Sequence, residues 1–344
     1  MTRLRTLALV LLLVGAVALS ACGGDSGDET STVTTPATTA VSSTATTAAA
    51  APAGRSGPGG AAAGNAPAAT HANLAYASTS SAQVLDLWLP PDATEATPLV
   101  VYVHGGAFKG GDKNMVGSKV QPLLDAGYAV ASVNYRLSPE ATFPAGAQDV
   151  KAAVRWLRAN AATYNLDPDR FAAWGESAGG NLVSLLGTTG DQATVLDDPA
   201  LGNADVSSAV QAVVHWYGPT DFLQMDTMAA SGGGCTNPEQ HDPASSPESL
   251  WMGAAIQTVP ETVAQANPIT YVATAEKLPA FSIAHGDADC NVPYQQSVIL
   301  DEALTAAGAN PQLTILPGAA HADAQFDGTL LAPTIVWLGT ALGS

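Results

Sequence analysis

Trp174-Gly175-Glu176-Ser177-Ala178-Gly179-Gly180 joins two segments of different periodicity. Upstream, Arg170-Phe171-Ala172-Ala173-Trp174 reads as a short buried strand. Downstream, Ala178 to Leu186 is a run of small and leucine residues that reads as a helix. A strand that passes into a helix through flanking glycines turns so tightly that its central residue takes strained backbone angles. A side chain at 175 or 179 would press on the neighbouring strand or helix. This is the context of a nucleophile elbow, with the Ser177 hydroxyl held at the carboxyl end of a strand and the next amide free to face a developing negative charge. In a chain with 33 glycines, the five residues from Gly175 to Gly179 are also what a small-residue turn would show. The surrounding elements decide between the two.

Outward from this turn, strands and helices alternate. Gln83 to Leu89 places Val84, Asp86 and Trp88 on one side and Leu85, Leu87 and Leu89 on the other, and Pro90-Pro91 ends it. Pro98 to His104 and Tyr128 to Asn134 are continuous apolar strands, the pattern of a sheet covered on both faces. Ala147, Val150, Val154 and Leu157 follow helical spacing, with Asp149, Lys151, Arg155 and Arg158 on the outer side. After the elbow come a strand over 210–217, a strand over 280–284, a helix over 294–307, a strand over 312–316 and a helix over 330–342. Residues 221–278, rich in Gly, Pro, Ser and Asp, form a lid-like insertion much longer than an ordinary strand-to-helix connection. The alternation predicts an α/β fold with a mostly parallel central sheet and helices on both faces.

The chain has 344 residues, 47% of them hydrophobic, and a formal net charge of −18. A field of that sign opposes contact with nucleic acid phosphates and anionic lipid headgroups, so nucleic acid is excluded as a partner. Met1-Thr2-Arg3-Leu4-Arg5 followed by Leu7 to Leu19 has the basic and apolar regions of a secretory signal, too short for a bilayer span. Leu19-Ser20-Ala21-Cys22-Gly23 resembles a bacterial lipobox, which implies export, cleavage before Cys22 and lipid attachment to its sulfur. Residues 1–22 are therefore read as the leader, with its lipid the chain's link to a membrane. Residues 23–72, made largely of Thr, Ala, Ser, Gly and Pro, are read as a disordered tether, and 73–344 as the folded domain.

A serine is a weak nucleophile at neutral pH and needs a base, and the base needs an orienting acid. Three histidines follow the strand at 210–217: His241, His285 and His321. His321 lies in Pro317-Gly318-Ala319-Ala320-His321-Ala322, directly after the last strand, where a base facing Ser177 belongs. His285 ends a strand beside Gly286 and is read as a hydrogen-bonded structural residue. His241, in the insertion, is read as solvated or lining an entrance. For the acid, Asp287 and Asp289 share one turn and spacing does not separate them.

From about Leu74 onward the chain resembles an α/β-hydrolase of the bacterial carboxylesterase/lipase group, similar to hormone-sensitive-lipase-like and feruloyl-esterase-like enzymes. The resemblance is carried by His104-Gly105-Gly106, by Val133-Asn134-Tyr135-Arg136-Leu137-Ser138-Pro139-Glu140, by the Gly-Glu-Ser-Ala-Gly-Gly elbow, and by His285-Gly286-Asp287-Ala288-Asp289 ahead of Val292-Pro293. It implies the chain order serine, acid, histidine, places the acid at Asp289, and assigns oxyanion-binding amides to Gly105, Gly106 and Ala178. It further implies a small carboxylic ester as substrate, an acyl-enzyme on Ser177, and neither metal nor organic cofactor.

With Cys22 lipidated, Cys235 and Cys290 remain, an even pair in an exported protein. A disulfide between them would tie the insertion to the acid loop and stabilise the fold by on the order of 3–4 kcal/mol. Two rivals stand beside the esterase reading. Serine peptidases of the prolyl-oligopeptidase kind usually carry Tyr where Ala178 stands. Non-catalytic surface modules that keep the fold tend to lose the serine or the base.

Overall fold

The structure, a computed structural model, describes residues 66–343 apart from Gly233. The expected signal segment, the lipidation site Cys22 and the tether as far as residue 65 lie outside the described residues.

Eight strands form one sheet: β1 (His71–Ala75), β2 (Val84–Trp88), β3 (Thr97–Val103), β4 (Ala129–Val133), β5 (Leu166–Glu176), β6 (Ala212–Trp216), β7 (Ala280–Gly286) and β8 (Gln312–Leu316). Their spatial order is β1-β2-β4-β3-β5-β6-β7-β8. β1 and β2 run antiparallel to their neighbours, and every pairing from β4 through β8 is parallel. All residues of β3 and β4 are buried, which is why these segments are apolar without alternation.

The described helices are α1 (Val120–Asp125), α2 (Ala145–Ala159), α3 (Ala178–Thr189), α4 (Met225–Ala230), α5 (Pro247–Met252), α6 (Pro260–Ala266), α7 (Ile269–Val272), α8 (Gln295–Ala306) and α9 (Leu331–Leu342). On one face of the sheet Leu85, Val101 and Phe171 pack with Val150, Val154 and Leu186. On the other, Val100, Trp174 and Val214 pack with Val120, Leu123 and Leu338. The chain therefore folds as two helical layers around a sheet.

The start of the ordered chain differs from the sequence expectation. The tether expected to run to residue 72 gives way to ordered chain earlier: the Trp88 indole donates to the Pro67 carbonyl at 2.8 Å, and β1 begins at His71. β1 has the sequence His-Ala-Asn-Leu-Ala and is mostly exposed, so it is held by backbone pairing with β2 and carries no apolar pattern to read.

The insertion at 221–278 carries α4 to α7, and it is ordered because Phe222, Met225, Trp251, Ile256, Val263 and Val272 enter the main core. Trp251 stacks on Phe108 with centroids 3.9 Å apart and planes 4° from parallel. His241 corrects its expectation. It is 2% exposed, with Nδ1 bonded at 3.0 Å to the Glu248 carboxylate, because the insertion folds inward around it.

The sheet order reverses between β3 and β5: β3 leads to β4 on one side, while the path through α2 places β5 on the other. A crevice at the carboxyl ends of the strands opens at such a switch point. Val103 ends β3 and leads into His104-Gly105-Gly106, and Glu176 ends β5 and leads into Ser177. The topology thus delivers two distant glycine-rich turns to one place.

Candidate active site

Ser177 sits between β5 and α3 with φ 55° and ψ −124°, a left-handed backbone that a residue with a Cβ enters at a cost. The turn can close this tightly only around hydrogen side chains. A Cβ on Gly175 would lie 2.1 Å from the Gly179 carbonyl oxygen, and one on Gly179 would lie 2.0 Å from that of Val103. The Ser177 amide donates to the Trp216 carbonyl at 2.9 Å, tying the elbow to the end of β6.

His321, in the loop after β8, comes to this hydroxyl. Ser177 Oγ donates to His321 Nε2 at 2.9 Å, and His321 Nδ1 donates to Asp289 Oδ2 at 2.7 Å. The directions follow from the acid: an ionised carboxylate only accepts, so the proton of the neutral imidazole is on Nδ1 and Nε2 keeps its lone pair for the serine.

Asp289 lies in the turn after β7 with its side chain fully buried. Its Oδ1 accepts from the Asn291 and Val292 amides at 2.8 and 2.9 Å, and its Oδ2 also accepts from His285 Nε2 at 3.2 Å. Burial by itself raises the carboxyl pKa. The positive charge that His321 carries when protonated, and the hydrogen bonds from His285 and His321, outweigh that and hold it well below the usual carboxylate range. Asp287 instead accepts from the Gly318 amide at 2.6 Å, which makes it a brace between the loops after β7 and β8. Of the two carboxylates that sequence spacing left open, the structure brings Asp289 to the imidazole.

His285 is hydrogen-bonded as expected, to Ser297 Oγ at 2.7 Å and Val292 O at 2.9 Å. Its bond to Asp289 was not read from the sequence; the one signal that could have found it is a histidine near the end of a strand four residues before the acid.

The turn after β3 supplies the third part. Gly105 lies against the nucleophile, so close that a Cβ there would be 3.1 Å from Ser177 Cβ. His104 is buried, and burial lowers its pKa to about 4, so it is neutral at pH 7. Its Nδ1 donates to the Gly105 carbonyl at 2.7 Å, and its ring stacks on Tyr135 at 4.4 Å. Because a trans peptide is planar, fixing that carbonyl on His104 directs the Gly106 N–H to the opposite side. Ala178 is the first residue of α3, and the amides of a first turn have no partner within the helix. The positive end of a twelve-residue helix therefore faces the serine.

Cys235 and Cys290 form a disulfide with Cα atoms 5.2 Å apart. It joins the insertion to the residue next to Asp289, and two backbone bonds of 2.8 Å, Gly234 N to Asp287 O and Glu239 N to Cys290 O, reinforce the seam. Among the described residues no group of three or more His, Cys, Asp and Glu side chains could hold a metal ion. The arrangement can deprotonate a hydroxyl, hold the resulting imidazolium against a carboxylate, and offer backbone dipoles to an oxyanion.

Comparison with known proteins agrees with this chemistry. The BD-FAE family matches residues 85–304. Esterase LipC and Esterase LipQ of Mycobacterium tuberculosis are each 32% identical to this chain over 74% of its length. The match spans 60% and 58% of those two proteins, so the chain accounts for little more than half of their length. Among solved structures, a truncated carbohydrate esterase from gut microbiota has a TM-score of 0.72 and 33% identity, covering 79% of this chain and 96% of its own.

Proposed function

The chain belongs to the BD-FAE family, and from that premise we propose that it is a serine ester hydrolase acting through an acyl-enzyme on Ser177. The carrying observation is the unbroken relay of 2.9 Å from Ser177 Oγ to His321 Nε2 and 2.7 Å from His321 Nδ1 to Asp289 Oδ2. As Oγ attacks the ester carbonyl, its proton passes to Nε2, and the imidazolium is held by the buried carboxylate. The carbonyl oxygen takes the negative charge and is received by the amides of Gly105, Gly106 and Ala178. Collapse of the tetrahedral intermediate breaks the bond to the alkoxy group, which leaves as the alcohol with the proton from Nε2. Water then gives a proton to Nε2 and attacks the acyl carbonyl, and collapse breaks the bond to Oγ, which takes the proton back from Nε2 as the acid leaves.

The substrate is a carboxylic ester of a small molecule. The esterase names of the sequence relatives and the carbohydrate esterase neighbour support this reading over a peptidase. The leader and Cys22 support a further proposal: the enzyme is exported and tethered through a lipid, which metabolic labelling with palmitate and its loss in Cys22→Ala would test.

The deciding experiment compares p-nitrophenyl acetate, longer acyl esters, an acetylated sugar and an aminoacyl anilide. Ester turnover should fall by on the order of 10⁶ in Ser177→Ala, together with loss of fluorophosphonate labelling. Labelling at another residue, or anilide hydrolysis outpacing every ester, would sink the proposal.

A further inference from the structure

Backbone strain marks one residue at the site that the relay and the oxyanion amides leave without a role. Among the described residues, nine other than glycine have positive φ. Asn73, Asp92, Asn165 and Asn203 are of the types that tolerate this region. The other five are Ala107, Phe108, Ser177, Tyr217 and Ala322. Four of these belong to the oxyanion turn, the nucleophile or the neighbour of the base. The fifth, Tyr217, has φ 42°, and such strain persists only where surrounding contacts hold it.

Those contacts are specific. The Tyr217 amide donates to the Ala284 carbonyl of β7 at 2.8 Å. Its ring meets the His321 imidazole edge-to-face, with centroids 5.0 Å apart and planes at 69°, and meets Phe326 at 4.5 Å. Its hydroxyl donates to Glu176 Oε2 at 2.9 Å in a buried setting. Glu176, the residue before the nucleophile, is 5% exposed and pairs through Oε1 with Lys119 Nζ at 2.8 Å. Lys119 is equally buried and pairs with Asp327 Oδ1 at 2.8 Å. Asp327 and Phe326 open a π-helical turn, Phe326–Leu330, a local irregularity that proteins concentrate at functional positions.

We propose that Tyr217 is a positioning residue for the His321 imidazole, held in its strained conformation by the buried Glu176–Lys119 pair and its partner Asp327 at the surface. Asp289 fixes one end of the imidazole and the Ser177 hydroxyl meets the other, but two points on one axis leave the ring free to rotate about that axis. The Tyr217 ring against its flank removes that freedom. The phenol stays protonated as a donor, since burial and then the Glu176 charge raise its pKa well above 10.0. Lys119 stays charged: burial lowers its pKa, but Glu176 and Asp327 raise it more.

The inference rests on the hydrolase reading, and the test separates the two. With the full chain and p-nitrophenyl acetate, Tyr217→Phe keeps the ring and removes the bond to Glu176, so kcat should fall about tenfold with KM unchanged. Tyr217→Leu removes the ring as well and should cost about a hundredfold in kcat. Glu176→Gln acts on the same contact, so the double variant with Tyr217→Phe should be no slower than the slower single one. Thermal midpoints show which proteins are folded, and Tyr217→Phe, the smallest change, decides the matter if others unfold. A Tyr217→Phe kcat within about twofold of wild type, or losses that multiply in the double variant, would overturn the role. An inactive wild type would instead defeat the hydrolase reading itself.

Discussion

In the proposed mechanism the nucleophilicity of Ser177 depends on a residue that never touches it. Asp289 receives four donors: His321 Nδ1, His285 Nε2 and the amides of Asn291 and Val292. An asparagine there can accept on its oxygen alone, so its amide hydrogens would face at least one of those donors. If they face His321, the imidazole proton moves to Nε2 and the lone pair that takes the serine proton is gone. Asp289→Asn should therefore lower kcat by on the order of 10³–10⁴, while circular dichroism shows an unchanged fold. A drop of less than about tenfold would show that His321 is oriented without it.

Among the elements, the insertion decides how rigidly that acid is held. Its helices bury apolar side chains against the turn that carries Gly105 and Gly106, through the Trp251 stack on Phe108. Its other end reaches the acid loop through Cys235–Cys290, which closes a loop of sequence separation 55. The chain-entropy relation gives such a cross-link about 4 kcal/mol of stability. The Cys235→Ser, Cys290→Ser double variant should lose up to that amount in urea unfolding. Because Cys290 adjoins Asp289, kcat/KM should fall with it. Unchanged stability and turnover would mean that the backbone bonds from Gly234 and Glu239 suffice.

Across the whole molecule, two histidines stand neutral inside the protein and make stability depend on pH. Burial lowers the pKa of His104 from 6.5 to about 4, and burial followed by the proximity of His285 lowers that of His215 from 6.5 to about 3. Both folded values lie below the unfolded one, so between pH 6.5 and 4 the unfolded chain binds more protons. Their contribution is present above pH 6.5 and is lost as pH falls, at about 1.4 kcal/mol per pH unit for each. Asp289 adds a loss of the same sign below the ordinary carboxylate range. His241 acts in the opposite sense, because Glu248, Asp226 and Glu239 raise its pKa against the effect of burial. With two groups against one, urea midpoints should decline from pH 7 to pH 4.5. Midpoints that hold or rise over that range would contradict the buried neutral state.

What the sequence determined by itself was whatever depends on near neighbours along the chain. The glycines of the elbow, the apolar runs of β3 and β4 and the parity of Cys235 and Cys290 all follow from local sterics, hydrophobic period and residue count. So does His321 in the loop after the last strand. What only tertiary structure decided was which groups meet across the chain. Asp287 and Asp289 differ by two positions in one turn; the family resemblance placed the acid at Asp289, but spacing holds no information about which faces an imidazole 32 residues away, and the contact itself is a tertiary one. The burial of His241, the order of an insertion poor in apolar pattern and the contact of Tyr217 with Glu176, 41 residues apart, depend likewise on strand register and helix packing. Those are properties of the assembled sheet, and no short window of the chain contains them.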